Sequence, residues 1–114
     1  MKEIKYVAFG FRWFDRINGN TYHSVRVSRC ADGAVLACPM TYGYGDHYRQ
    51  TALLAMLRAG WFDNIRRKPE GKPTKDAERY TEENIWYFER ENDYPISWNV
   101  SDGLKRDCVR HGTL

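Results

Sequence analysis

The sequence predicts an α+β domain in which an antiparallel sheet, made of a three-stranded N-terminal meander and a C-terminal hairpin, packs against one main helix, with a short C-terminal helix to finish. Three observations carry this. Val7, Phe9, Phe11 and Trp13 recur every second residue, the period of a strand. Asn18-Gly19-Asn20 and Asp32-Gly33 are turn signals, because Asn, Asp and Gly tolerate positive φ, and they divide the first forty residues into three such runs. Ala52, Leu53, Met56 and Leu57 then repeat at helical spacing.

In order, the strands are expected at Ile4 to Arg16, Thr21 to Cys30 and Ala34 to Met40. A three-residue loop at Asn18 to Asn20 sets Trp13 opposite Val25 and Phe11 opposite Val27, and a two-residue Asp32-Gly33 turn sets Cys38 opposite Val27, Leu36 opposite Arg29 and Met40 opposite Val25. The predicted core face is therefore Phe9, Phe11, Trp13, Val25, Val27, Leu36, Cys38 and Met40. Thr41 to Gly45 reads as a flexible loop, and Asp46 is placed to cap a helix running to about Ala59. Gly60 suits C′ and Trp61 C″ of a Schellman ending. Pro69, Gly71, Pro73 and dense charge make about 62–79 an exposed, flexible basic loop. Ile85 to Glu91 and Tyr94 to Val100 read as two strands about an Asn92-Asp93 turn, although Thr81 followed by acidic residues is also a helix start. Ser101 would cap a last helix, Asp102 to His111, stopped by Gly112.

Residues 1–114 are expected to form one domain, since a globular chain of this size buries roughly 65% of the surface its unfolded form exposes. No run approaches the length of a membrane span or of a signal-peptide core, so no membrane partner and a cytoplasmic location are expected. Three cysteines without a CxxC pair fit free thiols in a reducing compartment, and the predicted register keeps Cys30 and Cys38 on opposite faces. The net charge is +3, but Arg66 to Lys75 holds five Lys or Arg against one Glu, so the remaining chain is close to neutral.

Motifs for chemistry are sparse, and no catalytic group, cofactor or metal site is expected. Cys108 and His111 share a helical face, as a nucleophile and base would, yet two such residues do not make a metal site. Gly43-Tyr44-Gly45 lies between strand and helix, but position 48 is Tyr where a phosphate loop has a third glycine, and Asp46 repels anions. Gly71-Lys72-Pro73-Thr74 lacks the earlier glycine of such a loop. Two stretches point to binding instead. Tyr42, Tyr44, His47, Tyr48 and Arg49 put amphipathic rings on a glycine-containing backbone, a composition of protein-binding loops; the alternative is that the rings fill the core. Arg66, Arg67, Lys68, Lys72 and Lys75 suit an acidic protein face or nucleic-acid phosphates, or simply keep a loop solvated, and no aromatic residue interleaves to stack on bases.

The stretch from Asn18 to Trp61, with NGNTYHSVRV, TYGYGDHYRQTA and the closing Ala59-Gly60-Trp61, together with YPISWNVSDGLKRDC, resembles short proteins of bacteriophage and prophage genomes over about two thirds of the chain. The resemblance implies, by analogy of size and origin, an inhibitor of a bacterial host or defence complex, of which anti-CRISPR proteins are examples. It carries over no functional residues. The expectation is a non-enzymatic protein that acts by protein-protein interaction through Tyr42 to Arg49 and the basic segment, with nucleic-acid binding as the second reading and a Cys108/His111 enzyme as the third.

Overall fold

The structure is a computed structural model that describes residues 3–68 and 78–114. Its main sheet has four strands in the order β3-β2-β1-β6, where β1 is Tyr6–Asp15, β2 Asn20–Arg29, β3 Val35–Tyr42 and β6 Ile96–Asp102. The meander pairs antiparallel as expected, but β6 lies parallel to β1, so the sheet is mixed. Between β3 and β6 come α1 (His47–Arg58), a two-stranded ladder of β4 (Arg66–Arg67) and β5 (Glu78–Arg79), a 3₁₀ turn at Ile85–Tyr87 and α2 (Phe88–Glu91). The chain closes with α3 (Lys105–His111). The predicted C-terminal hairpin is thus corrected. Thr81 starts a helical turn by accepting from the backbone N–H of Asn84 and Ile85, and only the second segment of the expected pair becomes a strand.

The β1–β2 connection decides which rings face the core. Asp15 pairs with Asn20, leaving a four-residue turn from Arg16 to Gly19. Asp15 Oδ1 accepts from the backbone N–H of Ile17 and Asn18, its Oδ2 accepts from Asn18 Nδ2, and Gly19 closes the turn at φ +70°. Asp15 therefore ends the strand locally. Compared with the predicted alignment the strands are offset by three residues: Trp13 faces Tyr22, Phe11 faces Ser24, and Gly10 and Ala8 face Val25 and Val27. An odd offset exchanges the faces of β1, so Phe9, Phe11 and Trp13 leave the predicted core face and Tyr6, Ala8 and Gly10 take their place. The β2–β3 offset is two residues, with Val25 opposite Cys38 and Val27 opposite Leu36, so those side chains keep the predicted face with different partners. Met40 lies past an irregularity in the β2–β3 pairing and is half-buried.

Close approach explains why small residues won the core face. α1 lays Tyr48, Ala52, Leu53 and Met56, all buried, over this side of the sheet. A Cβ on Gly10 would lie 2.6 Å from the Tyr48 ring, so only glycine lets that ring settle on β1. Asp46 occupies the N-cap position of α1, but its side chain makes no capping hydrogen bond. The C-terminal end is a Schellman motif as predicted: Gly60, at φ +80°, donates to Leu57 O and Trp61 donates to Met56 O.

The opposite face is not left to water. α3 sits over Phe9, Phe11 and Ser24, where Ser24 Oγ donates to Cys108 O at 2.6 Å and the His111 ring lies 5.5 Å from Phe9 and 6.1 Å from Phe11. Arg26 closes the helix end by donating to the carbonyls of His111, Arg110 and Thr113. The predicted helix began three residues earlier; instead Ser101 and Asp102 are the last residues of β6 and Leu104 precedes α3.

At the Tyr6 end of β1 a second aromatic layer forms. Phe62 stacks on Phe88 at 4.0 Å, Tyr80 meets Phe88 edge-on at 5.2 Å, and Tyr6 touches Trp61, Phe62 and Phe88. The reading of 62–79 as an exposed loop is corrected at Phe62, which is 1% exposed, and at Arg66–Arg67, which pairs with Glu78–Arg79, while Asp63, Asn64, Arg66, Lys68, Glu78 and Arg79 are exposed. The middle of that stretch, 69–77, lies outside the described residues. No helix among the described residues is long and apolar enough to cross a membrane.

Candidate interaction surface

The register that removes Trp13 from the predicted core aligns three rings on adjacent strands. Trp13 on β1 pairs with Tyr22 on β2, which pairs with Tyr42 on β3. Trp13 and Tyr22 stack at 5.5 Å and 25°, and Tyr22 meets Tyr42 edge-on at 5.9 Å. Lys105 Nζ lies 5.5 Å from the centre of the Trp13 ring, a cation–π distance. Tyr42 is 57% exposed. Sequence periodicity assigned Trp13 to the core and passed over Tyr22; the signal that finds both is the Asp15 turn, which sets the pairing.

Next to this row the loop after β3 is pinned at alternate carbonyls. His23 Nδ1 meets Gly43 O at 3.1 Å and Arg12 Nη1 donates to Gly45 O at 3.3 Å. Arg12 itself is held by Asp102, with Nε donating to Oδ1 at 2.8 Å and Nη2 to Oδ2 at 3.1 Å, a two-pronged geometry that links β1 to β6. Tyr44, between the two anchored carbonyls, is 73% exposed. At the Gly45 end of this loop opens a groove of about 710 Å³ whose walls include Arg12, Phe14, Ile17, Gly45, Asp102 and Leu104. Phe14 and Leu104 are each more than half exposed and Ile17 is 93% exposed, so the groove is apolar with an ion pair at one side.

His23 is buried and tightly enclosed. Its Nε2 lies 2.7 Å from Thr51 Oγ1, and its ring centre is 5.4 Å from that of His47. Because Gly43 O only accepts, Nδ1 carries the proton and Nε2 accepts from the Thr51 hydroxyl. Burial pushes its pKa below the ordinary value, opposed by the Gly43 hydrogen bond. A Cβ on Gly43 would lie 2.7 Å from both His23 and His47, so the loop packs on these rings because position 43 has no side chain.

The predicted binding residues therefore separate. Tyr42, Tyr44 and His47 are exposed at the surface just described. Tyr48 is corrected from surface to core: it is 1% exposed and meets Trp98 edge-on at 5.9 Å. Arg49 is half-buried with its guanidinium 5.4 Å from the Trp98 ring. In the basic segment Arg66 and Lys68 are exposed, whereas Arg67 turns inward. Its side chain is 15% exposed, its Nε is 3.2 Å from Glu91 Oε1, and its guanidinium lies over Tyr87. The same Glu91 oxygen accepts from Tyr80 OH at 2.8 Å, and burial followed by this bond drives the Tyr80 pKa upward. Lys72 and Lys75 lie outside the described residues.

Cys108 is fully buried, its Sγ within hydrogen-bond range of Phe11 O and Ser24 Oγ, and burial pushes its thiol pKa up. That environment favours the neutral thiol over the nucleophilic thiolate. His111 Nε2 is engaged by Phe9 O. All three cysteines are free, and among the described residues no three His, Cys, Asp or Glu side chains are grouped to hold a metal. No family model, curated protein or solved structure matches the chain.

Proposed function

We propose that this is a non-enzymatic binding protein that docks a protein partner on the hairpin end of its sheet, through Tyr42, Tyr44 and the groove walled by Phe14, Ile17 and Leu104. The observation that carries the reading is the coincidence, at one place, of large exposed apolar side chains with a loop fixed at both flanking carbonyls. Exposed apolar surface of this kind mostly marks interaction sites, and Tyr and Trp are the residues that most often dominate them. Anchoring lowers the ordering cost of binding, because the backbone of the loop is already placed. The resemblance to phage and prophage proteins supplies the partner class: a bacterial host or defence complex in the cytoplasm, which the protein inhibits in the manner of an anti-CRISPR. Affinity purification from bacterial lysate with wild type and a Tyr42→Ala, Tyr44→Ala variant tests this, with circular dichroism to check the fold. Loss of a specific partner from the variant supports it; equal recovery by both rejects it.

Nucleic-acid binding is the second reading, and one observation favours it. Arg66 and Arg79 stand directly opposite each other on β4 and β5, both exposed, with Lys68 nearby in sequence. Like charges across a ladder repel, and a phosphate would relieve the repulsion. Arg67 is committed to Glu91 and contributes nothing to such a surface. A gel shift at low salt that shows no complex removes this reading.

A further inference from the structure

The two edges of the sheet are built differently. β3, the edge beside β2, carries Pro39 and an irregularity in its pairing, features that discourage a further strand from adding. β6, the edge beside β1, has neither. It is seven residues long, contains no proline or lysine, and its one charged side chain, Asp102, is already engaged by Arg12. Among the described residues α1 and α3 lie mainly over β1, β2 and β3, and α1 reaches β6 through Tyr48 and Arg49 against the face of Trp98. Trp98 and Val100, on the α1 side of this outermost strand, are half-buried, with Trp98 Nε1 donating to Glu89 Oε1.

We infer that β6 is a self-association edge, where a second copy of the chain pairs antiparallel about Asn99 to make one continuous eight-stranded sheet. The sequence of β6, ISWNVSD, is self-complementary in that register. Trp98 falls opposite the second copy's Val100, an aromatic and β-branched pair on the half-buried side, and Val100 falls opposite its Trp98. Ser97 falls opposite Ser101 on the polar side, Asn99 meets its own copy on the two-fold axis, and Ile96 meets Asp102. No like charges meet, and both half-buried side chains gain a neighbour across the seam. The surface is separate from Tyr42 and Tyr44, which lie at the other side of the sheet on β3 and the loop after it, and meets the groove of the proposed binding surface only at Asp102.

Sedimentation of the purified chain from about 1 μM to about 1 mM, the range expected of a small edge contact, should show a species of twice the 13.5 kDa monomer mass growing with concentration. Asn99 is exposed but its Nδ2 donates to Ala8 O, so Asn99→Asp and Asn99→Lys are first checked for fold by circular dichroism; each should then weaken association about tenfold or more by placing like charges on the axis. Mixing the two variants should restore the dimer, which a merely structural role for Asn99 would not do. Hydrogen exchange of wild type gives a readout without mutation: amides of β6, and not of β3, should gain protection as concentration rises. A wild type that stays monomeric throughout, as it would if the edge instead took an extended segment of another protein, overturns the inference. So does an Asn99→Asp variant that dimerises normally, a mixture that fails to recover, or protection confined to β3.

Discussion

Two aromatic clusters occupy the two ends of β1, similar in composition and opposite in fate. At the Tyr6 end, Tyr6, Phe62, Tyr80 and Phe88 interlock in the core and Trp61 stacks beside them under the Arg29 guanidinium, 4.8 Å away. At the Trp13 end, Trp13, Tyr22 and Tyr42 touch in a row that no second layer covers, with Lys105 over Trp13. Ring chemistry does not separate them. What separates them is the chain that returns: the segment after α1 and the turn before α2 fold back over Tyr6, while α3 covers Phe9 and Phe11 and reaches Trp13 only with the Lys105 side chain. An aromatic cluster becomes core where another element closes on it and stays open to solvent where none does.

Truncating the covered cluster should cost most. Phe88→Ala removes a ring that touches Tyr6, Phe62 and Tyr80, and is expected to lower stability by about 3–5 kcal/mol, measured by urea unfolding. A loss as small as that at an exposed position would mean the Tyr6 end is not a packed layer. Next, Gly10→Ala pushes a methyl into the Tyr48 ring at the centre of the α1 face, with an expected cost of about 1–3 kcal/mol and no change in partner binding.

A smaller effect should follow pH at the Trp13 end. The folded pKa of His23 lies below its unfolded value of 6.5, so between the two the unfolded chain binds the proton and the native chain does not. The stability this histidine contributes is therefore complete above pH 6.5 and is lost as the pH falls through the folded value. Melting temperatures across that window should fall for wild type and flatten for His23→Asn, which keeps a donor for Gly43 O; equal slopes would show that His23 is not the titrating group. Smallest in stability is Tyr42→Ala with Tyr44→Ala, expected within about 0.5 kcal/mol of wild type by unfolding, because both rings are largely in water. The same variant should show the largest loss of partner capture, and that inversion of order is the clearest test of the contrast between the two ends.

Much of the local structure was legible in the residues. The three meander strands and α1 with its Gly60 ending follow from periodicity and from where glycine must sit, whereas the exposure of Tyr42 and Tyr44 was left open between surface and core. Register was not. Val7, Phe9, Phe11 and Trp13 alternate so regularly that they read as the buried side, yet α3 covers that side only in part, and the side that receives α1 needs Ala8 and Gly10. Periodicity identifies alternate positions without saying how closely a helix will approach them. Tyr48 and Arg67 were misread for a related reason: each sits among residues of binding-loop composition, and only the neighbours Trp98 and Glu91, distant in sequence, turn it inward.

By itself, the sequence determined what short-range forces decide: which segments extend, which coil, where glycine and Asp15 turn the chain, and which rings are available for burial. The tertiary structure alone decided that β6 joins β1 in parallel, that the odd-numbered rings of β1 face α3, and that one aromatic end is closed while the other is open. Those outcomes depend on contacts between residues far apart in the chain, whose energies no local pattern encodes, and a change of one residue in turn length is enough to exchange the two faces of a strand.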